Sequence, residues 1–205
     1  GLRFDFTVPL ARFTAMNWNQ FPLPYRRYAI GPVWRNDATQ AGRYKEFWQC
    51  DFDTVGSTSP VIDAEIVAMK YSVFTQLGFP EGSFQIQVNS RQLLNALARS
   101  IEVTDPEQIM TIFKVWDKLG KTNRSQIRQE LKESGLSTTL IKDFDKLTDK
   151  LQSVIMTSQL SNQSVEIDQA LQELQVLFDS IDAMSIPAWA YRFNPLLARG
   201  LSYYT

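Results

Sequence analysis

The chain has 205 residues, 44% hydrophobic and 21% charged, which calls for a folded core and excludes long disorder. Lys+Arg 21 against Asp+Glu 22 leaves a net charge of -1, so overall charge points to neither a nucleic acid nor a membrane surface. There is no histidine and one cysteine, Cys50, which removes Ser–His and Cys–His catalysis, histidine metal ligands and an internal disulfide framework.

In chain order, residues 2–7 alternate, with Leu2, Phe4 and Phe6 on one side and Arg3, Asp5 and Thr7 on the other, and predict a strand. Pro9 opens a predicted helix that runs to about Asn17, with proline tolerated in the first turn. Residues 25–35 and 44–55 are β-prone and flank a turn-rich stretch that ends in Gly42, so they predict an antiparallel hairpin with a long loop. Ser57 to Pro60 starts a helix carrying Ile62, Ile66, Met69, Val73 and Leu77 at helical spacing, and Gly78 is its expected stop. Phe84, Ile86 and Val88 alternate as a further strand.

From Arg91 to about Ser180 the pattern is helical, and four to six helices are expected. The breaks fall at Thr104–Pro106, Gly120, Gly135–Ser137 and Ser161–Gln163. Residues 187–205 return to a β-like pattern. Both termini read as strands without polar tails, so the chain is expected to be a piece of a longer protein. No apolar run approaches the ~18 residues of a membrane span, and no signal peptide opens the sequence. A cytoplasmic location and no membrane partner are therefore expected.

The hairpin holds most of the chemical information. On its first strand Arg27, Ala29, Gly31, Val33 and Arg35 share a face, and on its second Phe47, Gln49, Asp51 and Asp53 share one. With Arg35 set across from Arg43, Gly31 falls opposite Phe47 and Ala29 opposite Gln49. A bare glycine in a strand marks a close approach to the backbone. The face suits a planar ligand stacked on Phe47 with an anion at Arg35. It equally suits an ordinary sheet with one wet face, with Cys50 as a packed core thiol.

Residues 28–35 (Tyr-Ala-Ile-Gly-Pro-Val-Trp-Arg), 42–49 (Gly-Arg-Tyr-Lys-Glu-Phe-Trp-Gln) and Asp53 resemble motif 2 of the class II aminoacyl-tRNA synthetases, in the form found in the histidyl-tRNA synthetase family. Residues 2–7 resemble that family's first histidine-binding strand, and Ala198 to Thr205 its signature stretch. The resemblance implies an α+β fold: a class II antiparallel sheet with flanking helices, interrupted by an α-helical insertion module. It divides the chain into a partial catalytic core at 1–90 and 186–205, with motif 2 at 25–56, and an insertion module at 91–185.

The resemblance also assigns residues. Arg35 and Arg199 would be the catalytic pair, meeting the α-phosphate of ATP and the substrate carboxylate. Arg35, Asp37, Arg43 and Phe47 would bind ATP, with Phe47 stacked on adenine and Arg43 on the outer phosphates. Asp5, Thr7 and Gln49 would hold the α-amino group of L-histidine. Asp53, Tyr203 and Tyr204 would enclose its imidazole, although alternation puts the two tyrosines on opposite faces. Mg²⁺ would arrive on the ATP phosphates, with no protein metal site.

The implied activity is formation of histidyl-adenylate and its transfer to the histidine tRNA, by a homodimeric parent. The alternative is a histidine-sensing regulatory subunit of ATP phosphoribosyltransferase, and a generic class II adenylate-forming enzyme is a third, weaker reading. Ser202 stands where the family usually has Asp. Motif 1, motif 3 and the anticodon-binding domain are not found, so the chain alone is expected to be inactive or feeble. Lys118, Lys121, Arg124, Arg128 and Lys132 form a candidate tRNA stripe, with a solvated helix face as the plain alternative.

Overall fold

The computed structural model describes residues 1–36, 38, 41–119, 122–154 and 156–198. The chain folds as two compact units, Gly1–Ile62 and Asp63–Thr205.

Unit 1 is built on a hairpin. Strand β1 (Tyr25–Trp34) pairs antiparallel with β2 (Glu46–Val55), and helix α1 (Thr7–Asn17) precedes them. The register sets Gly31 opposite Gln49, Val33 opposite Phe47 and Arg27 opposite Asp53. Arg35 donates its backbone N–H to the Lys45 carbonyl at 2.8 Å. The expected pairing of Arg35 with Arg43 is thus two residues out. A slip of two preserves which side chains share a face, because the strand period is two, so the face grouping stands while every cross-strand partner changes.

The strand expected at residues 2–7 does not form. Helix α1 already begins at Thr7. Before it, the Trp34 N–H donates to the Arg3 carbonyl at 3.0 Å, along the β1 edge turned away from β2. The remaining bonds to this segment come from side chains, so no ladder develops. Phe6 occupies the N-cap of α1 and offers no acceptor side chain; the Asp5 carboxylate instead takes the Val8 N–H at 3.2 Å.

The opposite face of the hairpin is open. Tyr28 is 79% exposed and Trp48 72%, with Ile30 beside them. Cys50 lies on this face and is exposed, not a core thiol. Even positions of both strands carry this apolar set, whereas odd positions face the N-terminal segment.

Unit 2 is mainly helical. Helix α2 (Pro60–Gln76), whose first turn holds the unit boundary, ends ahead of Gly78, which adopts φ 83°. Strand β3 (Ile86–Val88) then pairs in parallel with β4 (Tyr191–Phe193). Between them lie α3 (Arg91–Arg99), α4 (Pro106–Asp117), α5 (Arg124–Glu133), α6 (Thr138–Gln152) and α7 (Val165–Ala183). Among the described residues, those five α-helices fall within the expected four to six. One apolar core threads Leu97, Phe113, Leu131, Phe144, Ile167 and Ile181, all essentially without solvent contact. The Phe113, Trp116 and Phe144 rings stack in series at 6.1 and 5.9 Å. The buried Trp116 indole N–H is satisfied by Thr148 Oγ1 at 3.1 Å.

Candidate active site

The odd-numbered face of the hairpin places Arg35 just beyond the end of β1. Its guanidinium lies between two rings, 4.7 Å from the centroid of Phe4 and 5.1 Å from that of Phe47. Its Nε donates to the Phe4 carbonyl and its Nη2 to Gln49 Oε1, each at 3.3 Å. Gln49 in turn donates its amide to both oxygens of Asp51, at 2.7 and 2.9 Å. Phe47 therefore stacks against Arg35 in this structure.

Deeper along the same face, Arg27 and Asp53 sit directly across the strands. Arg27 Nη2 is 2.9 Å from Asp53 Oδ2 and 3.0 Å from the Phe6 carbonyl oxygen. The Asp53 contact is an ion pair by distance but is not aligned as a hydrogen bond, so Asp53 Oδ2 and Arg27 Nε are both buried without a hydrogen-bond partner. Burial pushes the Asp53 carboxyl above the ordinary 3.8; Arg27 pulls it back and the nearby Asp51 pushes it further up.

Gly31 lies between these two arginines on β1. A Cβ there would come within 3.3 Å of both Arg3 Nη2 and the Phe6 ring. The close approach expected from the glycine is made by the chain's own N-terminal segment. Arg3 is fixed by its Nε bond to the Pro32 carbonyl at 2.9 Å, over the Phe6 ring at 4.8 Å.

Of the residues read from sequence, Arg35, Phe47 and Gln49 touch one another directly or through Arg35, and Asp53 lies on their face. Asp5 is buried, at 5% exposure, and sits beside Phe6, while Thr7 opens α1. Arg43 is exposed in the loop between the strands. Asp37, Arg199, Tyr203 and Tyr204 lie outside the described residues, as do Ser202 and Lys121.

Arg27, Asp51, Arg3 and Phe4 were not among the expected site residues. Arg27 and Asp51 were already on the right face by parity, and only the register reveals their partners. On the candidate tRNA stripe, Lys118 pairs with Glu130 at 2.7 Å, Arg128 with Asp145 at 2.8 Å, and Arg124 with Asp149. Those three cations are met by carboxylates, which weakens the stripe as a phosphate surface.

The arrangement offers a positioned guanidinium beside a flat ring, with two carboxylates and an amide on one face. That combination can neutralise a phosphate, stack a planar base and accept from ammonium or ring N–H groups.

The histidine–tRNA ligase of Helicobacter hepaticus is 37% identical over 214 residues, covering all of this chain and 48% of that protein. The Azobacteroides pseudotrichonymphae histidine–tRNA ligase is 37% identical over 210 residues, covering 44% of that protein. The chain thus spans about half the length of the curated relatives it matches. Among solved structures, histidyl-tRNA synthetase from Nostoc superposes with a TM-score of 0.77 at 26% identity, covering 99% of this chain and 47% of that one. A Bacillus halodurans protein described as an ATP phosphoribosyltransferase regulatory subunit/histidyl-tRNA synthetase shares the fold, with a TM-score of 0.74 at 24% identity over 99% of this chain and 51% of its own. The family profile described as Histidyl-tRNA synthetase matches residues 1–205, from the first residue to the last, and on that match the chain belongs to the histidyl-tRNA synthetase family.

Proposed function

We propose that the chain carries the histidine-activating site of a histidine–tRNA ligase, within a protein that forms histidyl-adenylate and passes the histidyl group to its tRNA. The observation that carries this reading is the Arg35 guanidinium, fixed by the Phe4 carbonyl and Gln49 and flanked by the Phe47 ring.

In the first step a histidine carboxylate oxygen attacks the α-phosphorus of ATP. A P–O bond forms, the bond to the bridging oxygen breaks, and pyrophosphate leaves with that electron pair. The nucleophile is already ionised, so no general base is needed, and the absence of histidine side chains is no obstacle. What the step requires is in-line placement and neutralisation of charge on the phosphoryl oxygens. Arg35 serves the α-phosphate and the carboxylate, and Arg199 is assigned the same task from the far end of the sequence. For Phe47 to stack on adenine, its ring face must be shared with or released by Arg35. Asp37 and Arg43 complete the ATP set.

Asp5, Thr7 and Gln49 take the ammonium group of histidine, and Asp53 accepts from the imidazole N–H, with Tyr203 and Tyr204 against the ring. Such hydrogen-bonded recognition rejects apolar side chains strongly. Mg²⁺ would travel on the ATP phosphates. Phosphate oxygens and water would supply most of its shell, as is usual for Mg²⁺ that arrives with a nucleotide. Residues 91–185 act as an insertion module in this reading, and the parent is a cytoplasmic homodimer. No helix among the described residues is long and apolar enough to cross a membrane.

The regulatory-subunit reading keeps histidine binding and drops ATP. Arg35, Arg43, Phe47 and Arg199, all present in the sequence, favour the ligase. In the full-length polypeptide that carries this chain, calorimetry is expected to detect both ligands, and histidine-dependent ATP–pyrophosphate exchange to proceed. Arg35→Ala is expected to cut that exchange by roughly 10²–10³-fold. Binding of histidine alone would favour the sensor, and binding of neither would sink both readings. The 205-residue chain by itself is expected to exchange feebly.

A further inference from the structure

Resting on the histidine pocket proposed above, we infer that Arg27 is its positioning residue. A single guanidinium nitrogen, Nη2, reaches the Phe6 carbonyl at 3.0 Å and the Asp53 carboxylate at 2.9 Å. Phe6 stands between Asp5 and Thr7, the groups assigned to the ammonium of the substrate, whereas Asp53 is assigned to its ring. The clamp therefore sets the distance between the ammonium-binding and ring-binding ends of the pocket.

Burial supports this role. The Arg27 and Asp53 side chains are only 12% and 16% exposed, so the ion pair is far from a loose surface contact. The register leaves no cross-strand alternative, since Arg27 and Asp53 are direct partners. Asp51, the other charged group acting on Asp53, is of like sign and is engaged by Gln49. Arg27 is thus the counter-charge that keeps Asp53 an anionic acceptor inside the unit. Lysine could supply the charge, but its ammonium sits on a shorter, flexible stem that does not fix one nitrogen between the two acceptors.

The test uses the full-length polypeptide and pyrophosphate exchange. Arg27→Met is expected to raise KM for histidine about tenfold or more, while KM for ATP stays within about twofold. Arg27→Lys is expected to fall between wild type and the Met variant. Because Arg27 acts through Asp53, adding Arg27→Met to Asp53→Asn is expected to raise the histidine KM little beyond Asp53→Asn alone. A lower melting temperature with both KM values unchanged would overturn the proposal, as would fully additive effects in the double variant. If Arg27→Met does not fold, Arg27→Lys decides: a raised histidine KM supports the clamp, and an unchanged one overturns it. A wild-type protein that shows no histidine-dependent exchange overturns the reading of the pocket itself and the clamp with it.

Discussion

In unit 2 the helices α3 to α7 each begin on a side chain that accepts a backbone N–H: Ser90, Asp105, Asn123, Ser137 and Ser164. In unit 1, α1 begins on Phe6 and borrows Asp5. The four buried side-chain atoms that lack a hydrogen-bond partner among the described residues, Thr14 Oγ1, Arg27 Nε, Asp53 Oδ2 and Thr54 Oγ1, all fall in unit 1. Its hairpin also leaves Tyr28 and Trp48 in solvent, while unit 2 buries Phe113, Trp116, Phe144 and Phe193. Unit 2 starts its helices on its own polar side chains, whereas unit 1 buries two polar atoms, Arg27 Nε and Asp53 Oδ2, without a hydrogen bond on the odd face of its hairpin. Buried polar groups held short of partners are what a site for a polar ligand needs, and they make poor structural cement.

The widest separation between the two regions is expected in truncations. Phe113 is fully buried and carries the Arg91 guanidinium 4.2 Å from its ring centroid. Phe113→Ala should cost about 3–5 kcal/mol, because a cavity opens and a cation loses its cover. Trp48→Ala, on the open face of the hairpin, should stay within about 0.5 kcal/mol. Urea unfolding of the 205-residue chain, followed by circular dichroism, measures both. Equal losses would break the contrast, since the hairpin face would then have to be packed.

A smaller effect should come from filling the space over Gly31. In Gly31→Ala the new methyl must displace the Arg3 guanidinium, which is flexible, and the Phe6 ring, which is buried. Overpacking of this kind costs about 1–3 kcal/mol. The displaced Phe6 also carries the carbonyl held by Arg27, so histidine affinity in the full-length polypeptide should fall several-fold alongside stability. Calorimetry with histidine separates the two effects. A loss of stability with unchanged affinity would mean that the N-terminal segment packs over the site without shaping it.

The helical unit was legible because its signals are local. Thr104–Pro106 reads as a break in the helical pattern, and there the structure puts Asp105 at the N-cap of α4 with Pro106 next. The hairpin was legible only to within its parity. Alternation groups Arg27, Gly31 and Arg35 on one strand and Phe47, Gln49 and Asp53 on the other, and the two groups stay on one face only while the slip is even. The register depends on how many loop residues are left unpaired, which nothing in residues 36–45 dictates. That two-residue difference decides whether Arg27 meets Asp51 or Asp53, so the clamp was invisible in the sequence.

The N-terminal segment was misread for a related reason. Leu2, Phe4 and Phe6 alternate as a strand would, but the Phe4 and Phe6 carbonyls accept from the Arg35 and Arg27 side chains, 31 and 21 residues away, and not from a neighbouring strand's backbone. Cys50 was misplaced because an apolar run looks buried even when nothing covers its even face.

The smallest expected effect is electrostatic, and it has opposite signs in the two regions. In unit 1 the Asp53 carboxyl is raised, chiefly by burial, against the pull of Arg27. Between 3.8 and its folded value the native state holds a proton that the unfolded chain has released. Folding is therefore disfavoured by this group as pH rises through that window, and the penalty vanishes below 3.8. In unit 2 the exposed Asp149 carboxyl is lowered, chiefly by its hydrogen bond from Arg124. Its contribution is present above 3.8 and is lost as pH falls through the lowered value, and solvent keeps it small. Carbon-detected NMR titration of the side-chain carboxyls is expected to show Asp53 protonating above 3.8 and Asp149 below it. Arg27→Met should move Asp53 higher still, because the opposing charge is gone while burial and Asp51 remain. An Asp53 that titrates at or below 3.8 would mean that its carboxylate is well solvated or fully bonded, and the distinction between a helical unit that caps itself and a hairpin that buries a carboxylate oxygen without a hydrogen bond would fail at the residue where it matters most.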